Sequence, residues 1–150
     1  MSSEEFAKKQ LEDMLSFFGL NIKVDSSVDD DVIELNVPSS SMNGFLIGHN
    51  GDNLRAMQHL VASMLKSAEQ EISRVNIDVA DYKRQRADRL AEQVKQWVEA
   101  VLKSGTSMEL HAMNAADRRT VHKTISELAG VSSESSGEGR DRHVVITPEA

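Results

Sequence analysis

The sequence predicts an α+β fold in two domains: residues 1–80 with helices on one face of a small sheet, and residues 81–150 as a packed α/β domain. Three observations carry this. Four stretches repeat apolar residues at helical spacing. Several shorter runs alternate apolar and polar residues as strands do. A single Gly-x-x-Gly turn, Gly48 to Gly51, stands between a short apolar run and the second long helical stretch.

Taken in order, residues 3–18 set Ala7, Leu11, Met14, Leu15 and Phe18 on one helical face, and Gly19 stops them. Asn21 to Asp25 alternates and is expected to be a short edge strand, with Ser26-Ser27 and Asp29-Asp30 marking a turn. Asp31 to Val37 is a better strand, Ile33, Leu35 and Val37 facing one way, and Pro38 ends it. Ser39 to Ser41 is expected to cap a short helical turn carrying Phe45, Leu46 and Ile47 into the core. After the glycine turn, a helix over 52–67 places Leu54, Met57, Val61, Met64 and Leu65 together, the methionines as core filler. Ile72 to Val79 is the next strand.

The longest helix spans 82–103, with Leu90, Val94, Trp97, Val98 and Val101 as its apolar stripe. The only tryptophan lies in that stripe, so it is expected to be a core anchor rather than a stacking platform. Gly105 stops the helix, and Ser107 to His111 alternates as a short strand with Met108 and Leu110 inward. Asn114 caps the following helix, with Asp117 three residues on as in a capping box. Val121, Ile125, Leu128 and Ala129 form its buried face, and Gly130 ends it. A hairpin closes the chain, its weak strand near Val131 and its stronger one at His143 to Thr147. The boundary near Asp81 leaves almost no linker, so the halves are expected to pack together.

Composition narrows the functional classes. At 39% hydrophobic and 27% charged residues the chain is ordinary for a soluble domain. The absence of cysteine excludes disulfide, thiolate-metal and thiol redox chemistry. The acidic start shows no signal peptide, and no apolar run approaches the roughly 20 residues of a membrane helix; a cytoplasmic protein without membrane insertion is expected. The net charge is −7, yet residues 81–123 hold nine Lys/Arg against six Asp/Glu. Any nucleic-acid surface must therefore be local.

Two motifs carry chemistry. Glycines at both ends of the 48–51 turn let backbone approach a ligand closely. The helix behind the turn offers unpaired N–H groups and partial positive charge, which together cradle a phosphate. An ordinary Asn50-Gly51 turn is the alternative. In the second motif, Arg118 and His122 lie four residues apart on one helical face, expected to be exposed and opposite the apolar one. Arginine there can take a phosphate bidentately, and a protonated histidine adds charge; a solvated polar face is the alternative. Arg119 is adjacent, and Lys83, Arg84, Arg86 and Arg89 cluster on the preceding helix.

Taken jointly, the glycine turn, Ile77-Asp78, Tyr82-Lys83-x-x-Arg86, Met113-Asn114, Arg118-Arg119-x-x-His122, Ser136-Gly137-Glu138 and Arg142-x-Val144-Val145-Ile146 resemble the Jag (KhpB-like) family over residues 5–148. The resemblance implies a type II KH domain, whose Gly-x-x-Gly loop clamps nucleotide backbone, followed by an R-three-H domain named for its Arg-x-x-x-His signature. It also implies single-stranded RNA as ligand, with single-stranded DNA as a further candidate. A bacterial role in cell elongation and envelope synthesis, and a small single-KH partner protein, follow from it as well. On this sequence Gly48, His49, Asn50 and Gly51 fall on the KH loop, and Arg118 and His122 on the signature. Two departures stand out. The N-terminal domain and linker of many members are expected to be absent, and the loop reads His49-Asn50 where members usually carry one or two basic residues, which is expected to weaken RNA binding by this half.

The leading expectation is an RNA-binding protein using Gly48 to Gly51, Arg118, Arg119 and His122, with Lys83, Arg84 and Arg86 in support. An apolar groove lined in part by Phe45, Leu46 or Ile47 would hold unstacked bases, without aromatic stacking. The alternative is a protein-interaction or dimerisation module, a homodimer included. An enzyme is not expected: no carboxylate pair beside a histidine, no metal-ligand spacing and no nucleophile elbow is present. No cofactor is implied.

Overall fold

A computed structural model describes residues 1–149, and the chain divides into two compact units, Met1–Lys83 and Arg84–Ala150. Helix and sheet are mixed in both, an α+β fold.

The first unit begins with helix α1, Ser3–Phe17. Ser2 starts it: its hydroxyl accepts from the Glu5 N–H at 3.1 Å, and the Glu5 carboxylate accepts from the Ser2 N–H at 3.1 Å. This reciprocal box satisfies two otherwise orphaned donors. The helix ends where the Gly19 N–H reaches Ser16 O and the Leu20 N–H turns back to Leu15 O. Ala7, Leu11 and Leu15 are fully buried, as the stripe requires, while Phe18 stays 47% exposed.

Strand β1 is Asp25–Asp29 and pairs antiparallel with β2, Val32–Val37. The expected strand at 21–25 and turn at 26–30 are therefore displaced. Asp30 and Asp31 make the turn, both at positive φ (49° and 61°), the conformation that matches strand twist in a two-residue hairpin. Strand β3, Val75–Val79, pairs parallel with β2, giving the order β1-β2-β3. Ile33, Leu35, Val37, Val75, Ile77 and Val79 form one buried face. Across the polar face, Asn76 Nδ2 donates to Glu34 at 2.8 Å. Helix α3, Asp52–Ser67, packs its Leu54, Met57, Val61 and Leu65 with α1 against that apolar face. The short helix α2, Asn43–Ile47, precedes it and buries only Leu46. Ile47 is partly buried and Phe45 is half exposed, so the expectation that all three enter the core holds for Leu46 alone.

The second unit holds most of α4, Tyr82–Ser104. Its Val94, Val98 and Val101 pack with Leu110, Val121, Ile125, Val131, Val144 and Ile146 into a separate core, with Leu90 and Trp97 against its edge. Strand β4 is Met108–Glu109, α5 is Ala115–Ser126, β5 is Val131–Ser136 and β6 is His143–Pro148. The antiparallel sheet has the order β4-β6-β5. The expected weak strand near Val131 is six residues long, and each is paired to β6.

Candidate nucleic-acid interface

Four residues shape the glycine turn in the first unit. Gly48 has φ +73° and ψ −178°, a region essentially closed to side chains, and Gly51 has φ +79°. A Cβ on Gly48 would lie 2.7 Å from Asn53 Cγ and 2.9 Å from the Asn53 backbone N. Asn53 is itself fixed, donating through Nδ2 to Phe45 O at 2.7 Å. Arg55 Nη1 donates to Asn50 O at 2.8 Å, and its other end pairs with Asp52. His49 and Asn50 are exposed at the tip and touch each other at 3.2 Å. The turn thus exposes only its tip, His49 and Asn50, while Gly48 is partly covered and Gly51 is buried beneath Tyr82 and Arg55. The cation that touches the turn, Arg55, is already bonded to the turn's own carbonyl and to a carboxylate. Arg55 has no counterpart among the residues expected from sequence, because only its fold-back onto Asn50 O makes it part of the turn.

Lys83 belongs to this unit and does not face outward. Its Nζ donates to Gln58 Oε1 at 3.0 Å and also to Asn76 Oδ1. Burial lowers its pKa, against the raising effect of Asp78 and Glu34. It braces β3 to α3.

In the second unit Asn114 caps α5, accepting from the Asp117 N–H at 2.9 Å. The Asp117 carboxylate does not complete a capping box. It turns to Arg86, which donates from Nε at 2.9 Å and from Nη2 at 2.6 Å, a bidentate pair. Asp117 is buried, at 8% exposure. Arg86 is thereby a clamp between α4 and α5, not the ligand-facing cation expected of it. Removing it strands a buried carboxylate. Arg86→Ala should cost about 2 kcal/mol, discounted because Arg86 is one-third exposed. In thermal melts that is a clear drop for the second unit, while the salt dependence of any nucleic-acid binding stays as in the wild type.

Arg118 and His122 do share one face of α5, but that face is not open solvent. The His122 ring lies between two hydroxyls of β5, Nδ1 2.7 Å from Ser133 Oγ and Nε2 2.8 Å from Ser135 Oγ. A neutral imidazole donates from one nitrogen and accepts at the other, and serine can answer either way. Burial, then Arg118 and Arg142, lower the His122 pKa. His122 is therefore a neutral strut at neutral pH, correcting the expectation that its charge contributes. Arg118 is half-buried, its Nε 3.3 Å from Met113 O. Arg142 donates from Nη1 to Gly137 O at 2.8 Å. What emerges is a face with two arginines, each held by a backbone carbonyl, beside a serine-rich edge strand that a neutral histidine ties to α5. Arg119 and Arg84 are exposed on their helices. Ser133 and Ser135 are not marked by the sequence, and Arg142 is marked only as part of the family resemblance, because strand pairing, not spacing, brings them to α5.

The sign of the pH effect follows. With the folded His122 pKa below the ordinary value of 6.5, the unfolded chain takes up a proton first as pH falls. Stability present above about 6.5 is lost as pH drops through the folded value. His143 acts oppositely: the Asp141 carbonyl, then Glu109, raise its pKa. Its contribution is full below about 6.5 and lost as pH rises through its folded value. Melting curves between about pH 5 and 7.5 should show a smaller acid-side loss in His122→Gln than in the wild type; identical curves would contradict the strut.

Residues 85–148 match the family model of the R-three-H domain, so the second unit carries such a domain. Proteins similar over more of the chain bear the name RNA-binding protein KhpB. The one from Clostridium symbiosum is 30% identical over 135 residues, 87% of this chain and 60% of that protein. The one from Streptococcus pneumoniae is 33% identical over 106 residues, 71% of this chain and 32% of that protein. The one from Bacillus subtilis is 31% identical over 104 residues, 68% of this chain and 50% of that protein. The chain thus spans between one third and three fifths of the length of these curated relatives. No helix among the described residues is long and apolar enough to cross a membrane.

Proposed function

We propose that this chain is a single-stranded RNA-binding protein of the KhpB-like kind, with its main contact on the R-three-H unit. The observation that carries this is that Arg118 and Arg142 both lie near enough to His122 to act on its ionisation, beside the two β5 serines that hold its ring. Charge supports the assignment. The first unit holds seven Lys/Arg against fourteen Asp/Glu, whereas the second holds ten against ten. A polyanion is repelled by the first and meets a local basic face on the second. The names of the three relatives point the same way.

In this reading the first unit is a type II KH domain. Its order of helix, strand, strand, short helix, Gly-x-x-Gly, helix and strand supports that, and Gly48 to Gly51 supplies a weaker, secondary phosphate contact. A cytoplasmic role in cell elongation and envelope synthesis, with a small single-KH partner, is part of the same proposal by family resemblance. The test is fluorescence anisotropy with a labelled single-stranded RNA pool over a salt series. Three to five phosphate contacts predict a slope of log affinity against log salt of roughly −2 to −3.5. No binding at low salt would sink the reading.

A second reading, a protein-interaction module, has one observation in its favour. Phe17, Phe18 and Phe45 are 88%, 47% and 50% exposed on the acidic unit, the last two ring to ring at 5.0 Å. A stable homodimer without salt-sensitive RNA binding would select it.

A further inference from the structure

The second unit carries an open cleft of about 190 Å³, walled by Arg89, Leu90 and Gln93 of α4, by His111 and Met113, and by the Arg86–Asp117 pair. Leu90 and Met113 are partly buried against the core and offer apolar surface. Gln93 and His111 each provide hydrogen-bond donor and acceptor capacity and are exposed. Arg89 is an exposed cation at the same site. Arg86 and Asp117 neutralise each other, so the wall they form does not select an anion.

This lining suits neither a bare phosphate nor an aliphatic chain. It suits a flat heterocycle with apolar faces and a hydrogen-bonding edge, which is an unpaired nucleobase. The volume agrees. It falls short of the roughly 300 Å³ at which a whole small molecule is enclosed. One ring system fits, with its sugar and phosphate left outside near Arg89.

The cleft is also tied to the arginine face. Met113 lines it, accepts from Arg118 Nε at 3.3 Å through its carbonyl, and donates its N–H to Arg142 O at 3.1 Å. We propose that this cleft holds one base of the strand whose phosphates meet Arg118 and Arg142. The proposal rests on the RNA-binding reading above and adds to it a base pocket outside the Arg-x-x-x-His signature.

A built-in reporter makes it testable. Trp97 is the only tryptophan, and its ring centroid lies 6.2 Å from that of His111, edge-on. The intact chain is titrated with a single-stranded RNA ten-mer and with an abasic strand of equal length, following both strand anisotropy and Trp97 fluorescence. The RNA should quench Trp97 at the midpoint of the anisotropy change. The abasic strand should bind about ten-fold more weakly, without quenching. Gln93→Ala and, separately, His111→Ala should weaken RNA binding about five- to ten-fold and leave abasic binding unchanged. Equal losses for both strands, no loss in either variant, or equal quenching by the abasic strand would overturn the pocket while leaving RNA binding intact. Binding of neither strand by the wild type would overturn both.

Discussion

Replacing Arg118 and Arg142 together by alanine is expected to weaken single-stranded RNA binding about 30- to 100-fold at low salt. Each removes one charge-assisted contact, taken at roughly 1–1.5 kcal/mol, below the usual range for charged groups because both arginines are part-exposed and already bonded to a carbonyl, and 1.4 kcal/mol is a factor of ten. The slope of log affinity against log salt should become shallower by about 1.4, since each phosphate contact on a single strand contributes about 0.7. The two readouts separate charge from fold. Arg118 and Arg142 also hold backbone carbonyls at Met113 and Gly137, so a collapsed domain would lower affinity too. Only loss of the contacts themselves changes the slope while the melting curve stays close to the wild type. The Arg86→Ala variant should behave in the reverse way, less stable with an unchanged slope. Equal slopes in the double variant and the wild type would remove this face from the interface.

The second large effect is expected from Gly48→Ala. A side chain at φ +73° and ψ −178° costs about 1–3 kcal/mol by itself. The added Cβ also meets the Asn53 backbone N at 2.9 Å, which cannot swing aside as a side chain would. Relief requires shifting the first turn of α3, so a total near 3 kcal/mol is expected, about 15 °C in the melting temperature of a domain this size. Gly51→Ala should cost less, because its Cβ would meet Tyr82 at 3.2 Å and the flexible end of Arg55 at 3.3 Å. Calorimetry that finds both variants within a degree of the wild type would mean the turn is not held as described.

The long helices were legible from sequence because their apolar stripes have one solution. The bounds of α3 agree to the residue, and α4 extends a single residue further than predicted. Strands β1 and β5 were harder to see for one shared reason. Asp25-Ser26-Ser27-Val28-Asp29 and the serine-rich run after Val131 have little strand propensity of their own. Pairing with β2 and β6 makes them strands. Phe18 and Phe45 illustrate a different failure: apolar character argues for burial only in one direction, and both remain near half exposed.

The candidate site divides similarly. Gly48, Gly51, Arg118 and His122 follow from spacing, since turns and helix faces are local. Lys83 and Arg86 looked like ligand-facing cations because a charge count carries no partners. Asp117, which occupies Arg86, lies 31 residues away. Arg142 and the His122–serine contacts needed the hairpin register, in which Ser133 pairs with Ile146 and Ser135 with Val144.

The R-three-H unit, rather than the glycine turn, is proposed as the principal RNA surface. A backbone amide NMR titration of the intact chain with a short single-stranded RNA distinguishes the two surfaces. The largest shifts are predicted at the first turns of α5, along Ser133 to Ser135 and around Arg142, with smaller ones at Gly48 to Gly51. Dominant shifts at Gly48 to Gly51 with the second unit unmoved would place the RNA on the glycine turn instead.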